Sequence, residues 1–233
     1  MSQNRARTVF LLAHTGRPAA IRSAELVVKG LLRSGLGVRV LEYEARDLPL
    51  PDEVELVKEA TPQCLDGCEL LIVLGGDGTL LRAGAAHVVA VDVGYGQLAW
   101  SLQSDERVTV KDRTNVRELT LEAIDGEPVD LVVGDLSFIP LGLVLPALVR
   151  CVKPDADLVM MVKPQFEVGK ERLGSGGVVR SAQLRAEAVR GVAAKAAELG
   201  LGVNGVTASP LPGPSGNVEY FLWLRAGDRK SVV

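Results

Sequence analysis

The stretch LLIVLGGDGTLLRAGAAHVVAVDVG, residues 70–94, limits the fold more than any other part of the chain. Two apolar runs, LLIVL and VVAVDV, flank a glycine turn and a short helical stretch. A strand, a turn, a helix and a second strand in that order form a right-handed crossover between parallel strands. The connection, residues 75–87, is close to the shortest that can hold a helix. A helix over 79–86 makes about two turns. Gly75, Gly76 and Gly78 permit tight turns and close backbone approach, and amides placed there can face phosphates. Asp77 between them is a nucleotide-site acid or a turn former that satisfies local amides.

Around this unit, strand and helix patterns alternate. TVFLLA, 8–13, reads as a buried strand. Ile21, Leu26, Val27, Leu31 and Leu32 recur at helical spacing over 18–34 and stop near Gly35. A strand follows at 38–43, and a loop region with prolines at 49, 51 and 62 holds a short helix at 52–60. Further strands are expected at 70–74, 88–93, 107–110, 129–135 and 157–163. Helices are expected at 97–103, at 141–152 despite Pro146, and at 180–199, with a glycine-rich loop at 169–177. The last two strands, 203–209 and 218–224, are joined by PLPGPSGN with no helix between them. The reading is an α/β fold: a mostly parallel sheet with helices on both faces and an antiparallel C-terminal hairpin at one edge.

The chain has 233 residues, of which 47% are hydrophobic, enough for a substantial core. The net charge of −3 argues against purely electrostatic nucleic-acid binding. Three cysteines, Cys64, Cys68 and Cys151, imply a reducing compartment. With only His14 and His87 to assist, buried or free thiols are a better reading than zinc, and no metal is expected. TVFLLA is too short for a signal-peptide core, and no later apolar run is long enough to span a bilayer. The expectation is a soluble cytoplasmic protein without a membrane partner.

Three acid or base residues sit where open α/β sheets place their chemistry. Asp135 ends VDLVVGD, Lys163 ends DLVMMVK, and Glu219 begins the return strand of the hairpin. A lysine flanked by two carboxylates can be buried without an unpaired charge, and desolvation then opposes the carboxylates. Such a lysine can accept a proton from a hydroxyl. The plain alternative is a salt bridge capping strand ends. Asp92 also ends a strand, where an acid can bond the hydroxyls of a cofactor ribose or simply face solvent. Asp112 and Asn115 in VKDRTN are weaker candidates for the adenine side. Phe138 is a substrate or cofactor contact or a core aromatic. Arg180, Arg185 and Arg190 form a solvated face or a minor RNA contact.

The words VVAVDVGYGQLAW, VDLVVGDLSFI, LVMMVKPQFEVGK, GSGGVV and ASPLPGPSGNVEYFLWL closely resemble the C-terminal region of TlyA-type (haemolysin A, FtsJ-like) ribosomal RNA 2′-O-methyltransferases, over about 83–226. The resemblance implies a Rossmann-like methyltransferase sheet, S-adenosylmethionine as methyl donor, RNA as substrate and a Lys-Asp-Lys-Glu catalytic set. Asp135, Lys163 and Glu219 match the last three members. Lys163, oriented by the two acids, would help deprotonate or position a ribose 2′-hydroxyl for in-line attack.

The family's acid- and glycine-rich cofactor loop is not found. Its place is held by CELLIVLGGDGTLLRAG, and GGDGT with LLAHTGR upstream resembles the N-terminal part of NAD kinases, over about 8–83. That resemblance implies a catalytic Asp77 and ATP or NAD as ligand. The kinase's later motifs are not found. The first lysine of the methyltransferase set is also missing; Lys58 is the nearest, but its surroundings do not match. The expected organisation is an NAD-kinase-like α/β segment at 1–67, a methyltransferase-like domain at 68–227 and a tail at 228–233. The alternatives to a methyltransferase, itself impaired by the altered loop, are a kinase-derived nucleotide binder and a non-catalytic fusion product. Because a strand has only two edges, 70–74 is expected between 88–93 and 129–134, with 8–13 and 38–43 displaced.

Overall fold

The computed structural model describes residues 8–13, 18–58, 68–74, 81, 85–209, 211–213 and 215–227. They fall into two compact units, one of residues up to 90 with 96–111, the other of 91–95 with 112 onward. Gly75, Gly76, Asp77 and Gly78, with His14 and Cys64, lie outside the described residues.

In the first unit, β1 (Thr8–Ala13), β2 (Gly37–Leu41), β3 (Glu55–Val57) and β4 (Cys68–Leu74) form a parallel sheet in the order β3-β2-β1-β4. The unbroken apolar run of β1 suits a strand covered on both faces. Leu11 and Ala13 pack with Ala24, Val28, Val38 and Val40, while Phe10 and Leu12 pack with Leu41 on the opposite face. The helix Pro18–Arg33 follows β1, and Ile21, Ala24, Val28, Leu31 and Leu32 form its inner stripe. Gly35, at φ +75°, ends it: Leu36 N donates to Leu31 O and Gly35 N to Leu32 O, the Schellman pattern.

Two expectations here need correction. The 38–43 strand stops at Leu41, because Glu42–Ala45 is helical and buries Glu44, whose Oε2 accepts from Ala13 N at 2.9 Å. The stretch expected as a helix from 52 carries β3 instead. Its register with β2 sets Arg39 opposite Glu55, and the pair closes at 3.0 Å. Edge pairing overrides local helix propensity there.

The larger correction concerns β4. It pairs with β1 from Val9↔Leu70 to Ala13↔Leu74, and 129–134 belongs to another sheet. The expectation weighed the total apolar surface of competing sets. The observed pairing satisfies the backbone of β1, a strand whose Phe10, Leu11, Leu12 and Ala13 are wholly buried. Unpaired N–H and C=O groups along such a strand would be far from water. β5 (Val88–Val91) and β6 (Val108–Lys111) form a two-stranded sheet, with the short helix Trp100–Gln103 between them.

In the second unit, β7 (Val129–Gly134), β8 (Val152–Val162), β9 (Leu201–Ala208) and β10 (Tyr220–Ala226) form a sheet in the order β7-β8-β10-β9. β7 and β8 are parallel, and β10 runs antiparallel to both β8 and β9. The hairpin is antiparallel and lies at one edge of the sheet as expected, with β9 outermost and β10 between β8 and β9. Leu158, Met160, Val162, Leu222 and Leu224 are buried, and so are Ala188, Val192, Ala193 and Ala196 of the long helix Ala182–Glu198. Ser181 caps this helix, its side chain accepting from Leu184 N at 3.3 Å. The region expected as one helix at 141–152 is a 3₁₀ turn, Leu141–Leu143, and a helix, Leu145–Val149. Pro146 sits in that helix's first turn, where no N–H is required. β8 begins at Val152, well before the expected 157.

Candidate functional site

β7 and β8 are parallel, so their C-terminal ends lie side by side. The residue after each is polar: Asp135 follows Gly134, and Lys163 follows Val162. Lys163 Nζ lies 2.6 Å from Asp135 Oδ1, with the lysine side chain 12% accessible and the aspartate 66%. A second donation runs from Lys163 Nζ to Ser137 Oγ at 3.0 Å. The lysine therefore enters the protein with a counter-charge and a neutral acceptor, as a mostly buried ammonium requires. Gly134 leaves room for the Met160 side chain, whose thioether a Cβ there would meet.

β10 delivers the third residue. It pairs Tyr220 with Val162, so Glu219 and Lys163 occupy the next position along the two chains. Glu219 is buried, and its Oε1 accepts from Gln165 Nε2 at 2.8 Å. Gln165 lies on the helical turn Pro164–Glu167 that begins right after Lys163. Gly213 lies against the Glu219 carboxylate, where a Cβ would come 2.6 Å from Oε1. The structure thus gathers Asp135, Lys163 and Glu219 at one end of the sheet. The lysine bonds one acid directly, and the second acid is held by an amide. Ser137 and Gln165 were missed in the sequence. Their signal was a polar residue three positions beyond each strand end, in DLS and KPQ.

Phe138 is not a core aromatic. It is 88% exposed, its φ is +64°, and its ring centroid lies 5.0 Å from that of Phe166. Glu167, on the same turn as Gln165, accepts from Leu141 N at 2.8 Å. Burial pushes its carboxyl above the ordinary range, opposed by that hydrogen bond. Asn217, also buried, accepts from Val179 N at 2.9 Å and donates to Gly177 O at 3.1 Å, pinning the end of the glycine-rich loop. Arg180 lies before the helix cap rather than on the helix, and Arg185, in the helix's first turns, is used internally, on Tyr220 OH, Val179 O and Arg180 O. Arg180 reaches Ser175 O.

Asp92 lies just beyond β5, and its Oδ1 accepts from Gly94 N at 2.6 Å. The loop after β6 is laced to it: Thr114 N donates to Asp92 O at 3.0 Å and Arg113 N to Gly94 O at 2.8 Å. The Arg113 guanidinium sits 4.5 Å from the Tyr95 ring centroid. Asp112 begins this loop, and the Thr114 hydroxyl donates to its backbone oxygen at 3.1 Å. Asn115 is a cap, its Oδ1 accepting from Arg117 N at 3.2 Å. Lys58 is exposed, just after β3. Among the described residues, no group of histidine, cysteine and carboxylate side chains could hold a metal ion.

Residues 77–226 match the family described as FtsJ-like methyltransferase. The chain belongs to that family. Among curated relatives of this FtsJ-like chain, the 16S/23S rRNA (cytidine-2′-O)-methyltransferase TlyA of Mycobacterium tuberculosis is 69% identical over 146 residues, covering 63% of this chain and 54% of that protein. NAD kinase 2 of Streptomyces avermitilis is 66% identical over 145 residues, covering 58% of this chain and 48% of that protein. The crystal structure of a hemolysin-named protein of Lactococcus lactis is 38% identical, with a TM-score of 0.61, over 65% of this chain and 72% of that one. The FtsJ-like chain spans about half the length of the curated relatives it matches, 54% and 48%.

Proposed function

We propose that this chain is an S-adenosylmethionine-dependent RNA 2′-O-methyltransferase acting on ribosomal RNA in the cytoplasm. The observation that carries the reading is the Lys163–Asp135 pair at the parallel end of β7 and β8, with Glu219 at the same end. In this reading Lys163 Nζ, having first given up a proton to solvent, binds the ribose 2′-hydroxyl through its lone pair, takes the hydroxyl proton as the oxygen attacks, and so becomes an ammonium. Asp135 orients the ammonium and balances its charge. Glu219, locked by Gln165, presents a second acidic wall. Phe138, exposed beside Ser137, offers a face on which a base can stack.

S-adenosylmethionine, when bound, supplies an electrophilic methyl group. The residues beyond β5 and β6 fit its nucleoside. Asp92 has one carboxylate oxygen engaged by Gly94 N and a second with no hydrogen bond among the described residues. Tyr95 is 69% exposed and can lie against an adenine. Asp112 begins the neighbouring loop. The sequence GGDG at 75–78 stands where the family's cofactor loop is expected, and a lowered turnover is the expected consequence. In the proposed organisation the methyltransferase-like domain occupies 68–227, although its strand β4 is hydrogen-bonded to β1.

Transfer of labelled methyl from S-adenosylmethionine to ribosomal RNA, mapped to a 2′-oxygen, tests the reading. Lys163→Ala should lower the rate at least about 100-fold, and Asp92→Ala should weaken cofactor binding in calorimetry. Methylation that survives Lys163→Ala refutes it. The similarity to NAD kinase 2 supports a second reading, in which Asp77 and its glycines bind ATP or NAD. Nucleotide binding abolished by Asp77→Ala, with no methyl transfer, favours that one.

A further inference from the structure

The Lys163 ammonium has three hydrogens to donate. Asp135 Oδ1 takes one at 2.6 Å, and Ser137 Oγ takes another at 3.0 Å. Both acceptors come from one short loop, two residues apart, directly after β7. The chain bends away at the next residue, Phe138, which holds a φ of +64°. A non-glycine residue in that region costs energy and persists where its surroundings need it. The bend lets the loop leave immediately after Ser137 has reached the lysine.

We infer that Ser137 is a positioning residue for Lys163: with Asp135 it fixes two of the three directions of the amine and leaves the third for the reacting 2′-hydroxyl. The inference rests on the methyltransferase reading. A lysine bonded only to the 66%-exposed Asp135 could swing on its four-carbon stem around that carboxylate. A second acceptor removes this freedom. A hydroxyl is also suited to the task, since it accepts from an ammonium and donates to a neutral amine. Its contact survives a proton transfer that would weaken the ion pair. The other charged groups on the elements packed here are committed elsewhere. Glu219 bonds Gln165, Glu167 bonds Leu141 N, and Arg185 bonds Tyr220 OH. Ser137 is itself exposed, so its replacement leaves no buried gap.

The full chain, Ser137→Ala and Ser137→Thr are compared in two measurements. The first is brief reductive methylation with isotope-labelled formaldehyde, read at Lys163 by mass spectrometry. Loss of one hydrogen bond should make Lys163 label at least about three-fold faster in Ser137→Ala, with other lysines unchanged and Ser137→Thr like the unaltered chain. Unchanged labelling of Lys163 in Ser137→Ala overturns the proposal, whatever the activity. The second is steady-state methyl transfer. Ser137→Ala should lower kcat about ten-fold while KM for RNA stays within about two-fold, and Ser137→Thr should restore kcat. A raised KM with kcat intact overturns the proposal. If labelling responds as expected while the unaltered chain methylates no RNA, the positioning role stands and the methyltransferase reading fails.

Discussion

β1 and β7 look alike in the sequence, TVFLLA against VDLVVG, and end up in opposite circumstances. β1 has a parallel neighbour on each edge, and its residues 9–13 are buried. β7 has β8 on one edge, stands last in its sheet, and leaves Leu131 and Val133 48% and 56% exposed. These two side chains share a face with Asp157 and Val159 of β8 by register. An apolar run therefore specifies a strand without specifying whether that strand is central. The same contrast holds for the acids near each strand. Glu44 is fully buried on Ala13 N at the end of β1, whereas Glu167 receives Leu141 N from the chain beyond β7.

The contrast is broken most directly by truncating both strands. Phe10→Ala should cost about 3–5 kcal/mol, because it opens a cavity in a closed core. Leu131→Ala should cost less than about 1 kcal/mol, since half of that side chain is already in water. Denaturant unfolding, followed separately for the two units, reads both. Equal losses would mean that β7 is as enclosed as β1.

A smaller effect sharpens the account of the β7 end. Gly134→Ala should cost about 1–3 kcal/mol by overpacking against Met160. Most of that should disappear when Met160→Ala is added, in a double-mutant cycle of thermal unfolding. An additive pair would show that the strand ends do not touch through these atoms. The same substitution should also lower methyl transfer, by shifting Asp135 relative to Lys163.

The smallest expected effect is a pH dependence at Glu167. Burial raises its carboxyl above the ordinary 4.5, so folding favours the protonated form. Its contribution to stability is complete below that pH and is lost as pH rises through the raised value. Glu167→Gln keeps the neutral form. The variant should therefore gain stability relative to the parent at neutral pH, and the difference should vanish in acid. A difference constant with pH would contradict the buried-carboxyl account.

Much of the site was legible. Asp135, Lys163 and Glu219 stand next to apolar runs that had to be strands, and parallel strands bring such ends together. The partners were less legible. Glu219 was expected on the lysine, yet Gln165 holds it, because the helical turn after Lys163 folds that amide toward the incoming β10. Ser137 reads in sequence as one more loop hydroxyl. Only the bend at Phe138 and the nearness of β8 give it a partner.

The sequence by itself determined the local elements: the helix closed by Gly35, the helix opened by Ser181, and the apolar runs of β1, β4, β7, β8 and β10. Each follows from side-chain periodicity or from a φ that glycine adopts freely. Tertiary structure alone decided that β4 lies against β1, that β10 enters between β8 and β9, and that 55–57 is a strand. Those choices are made by backbone N–H and C=O groups along strand edges. Every residue but proline carries both, so the side-chain code says little about which edge a strand will take.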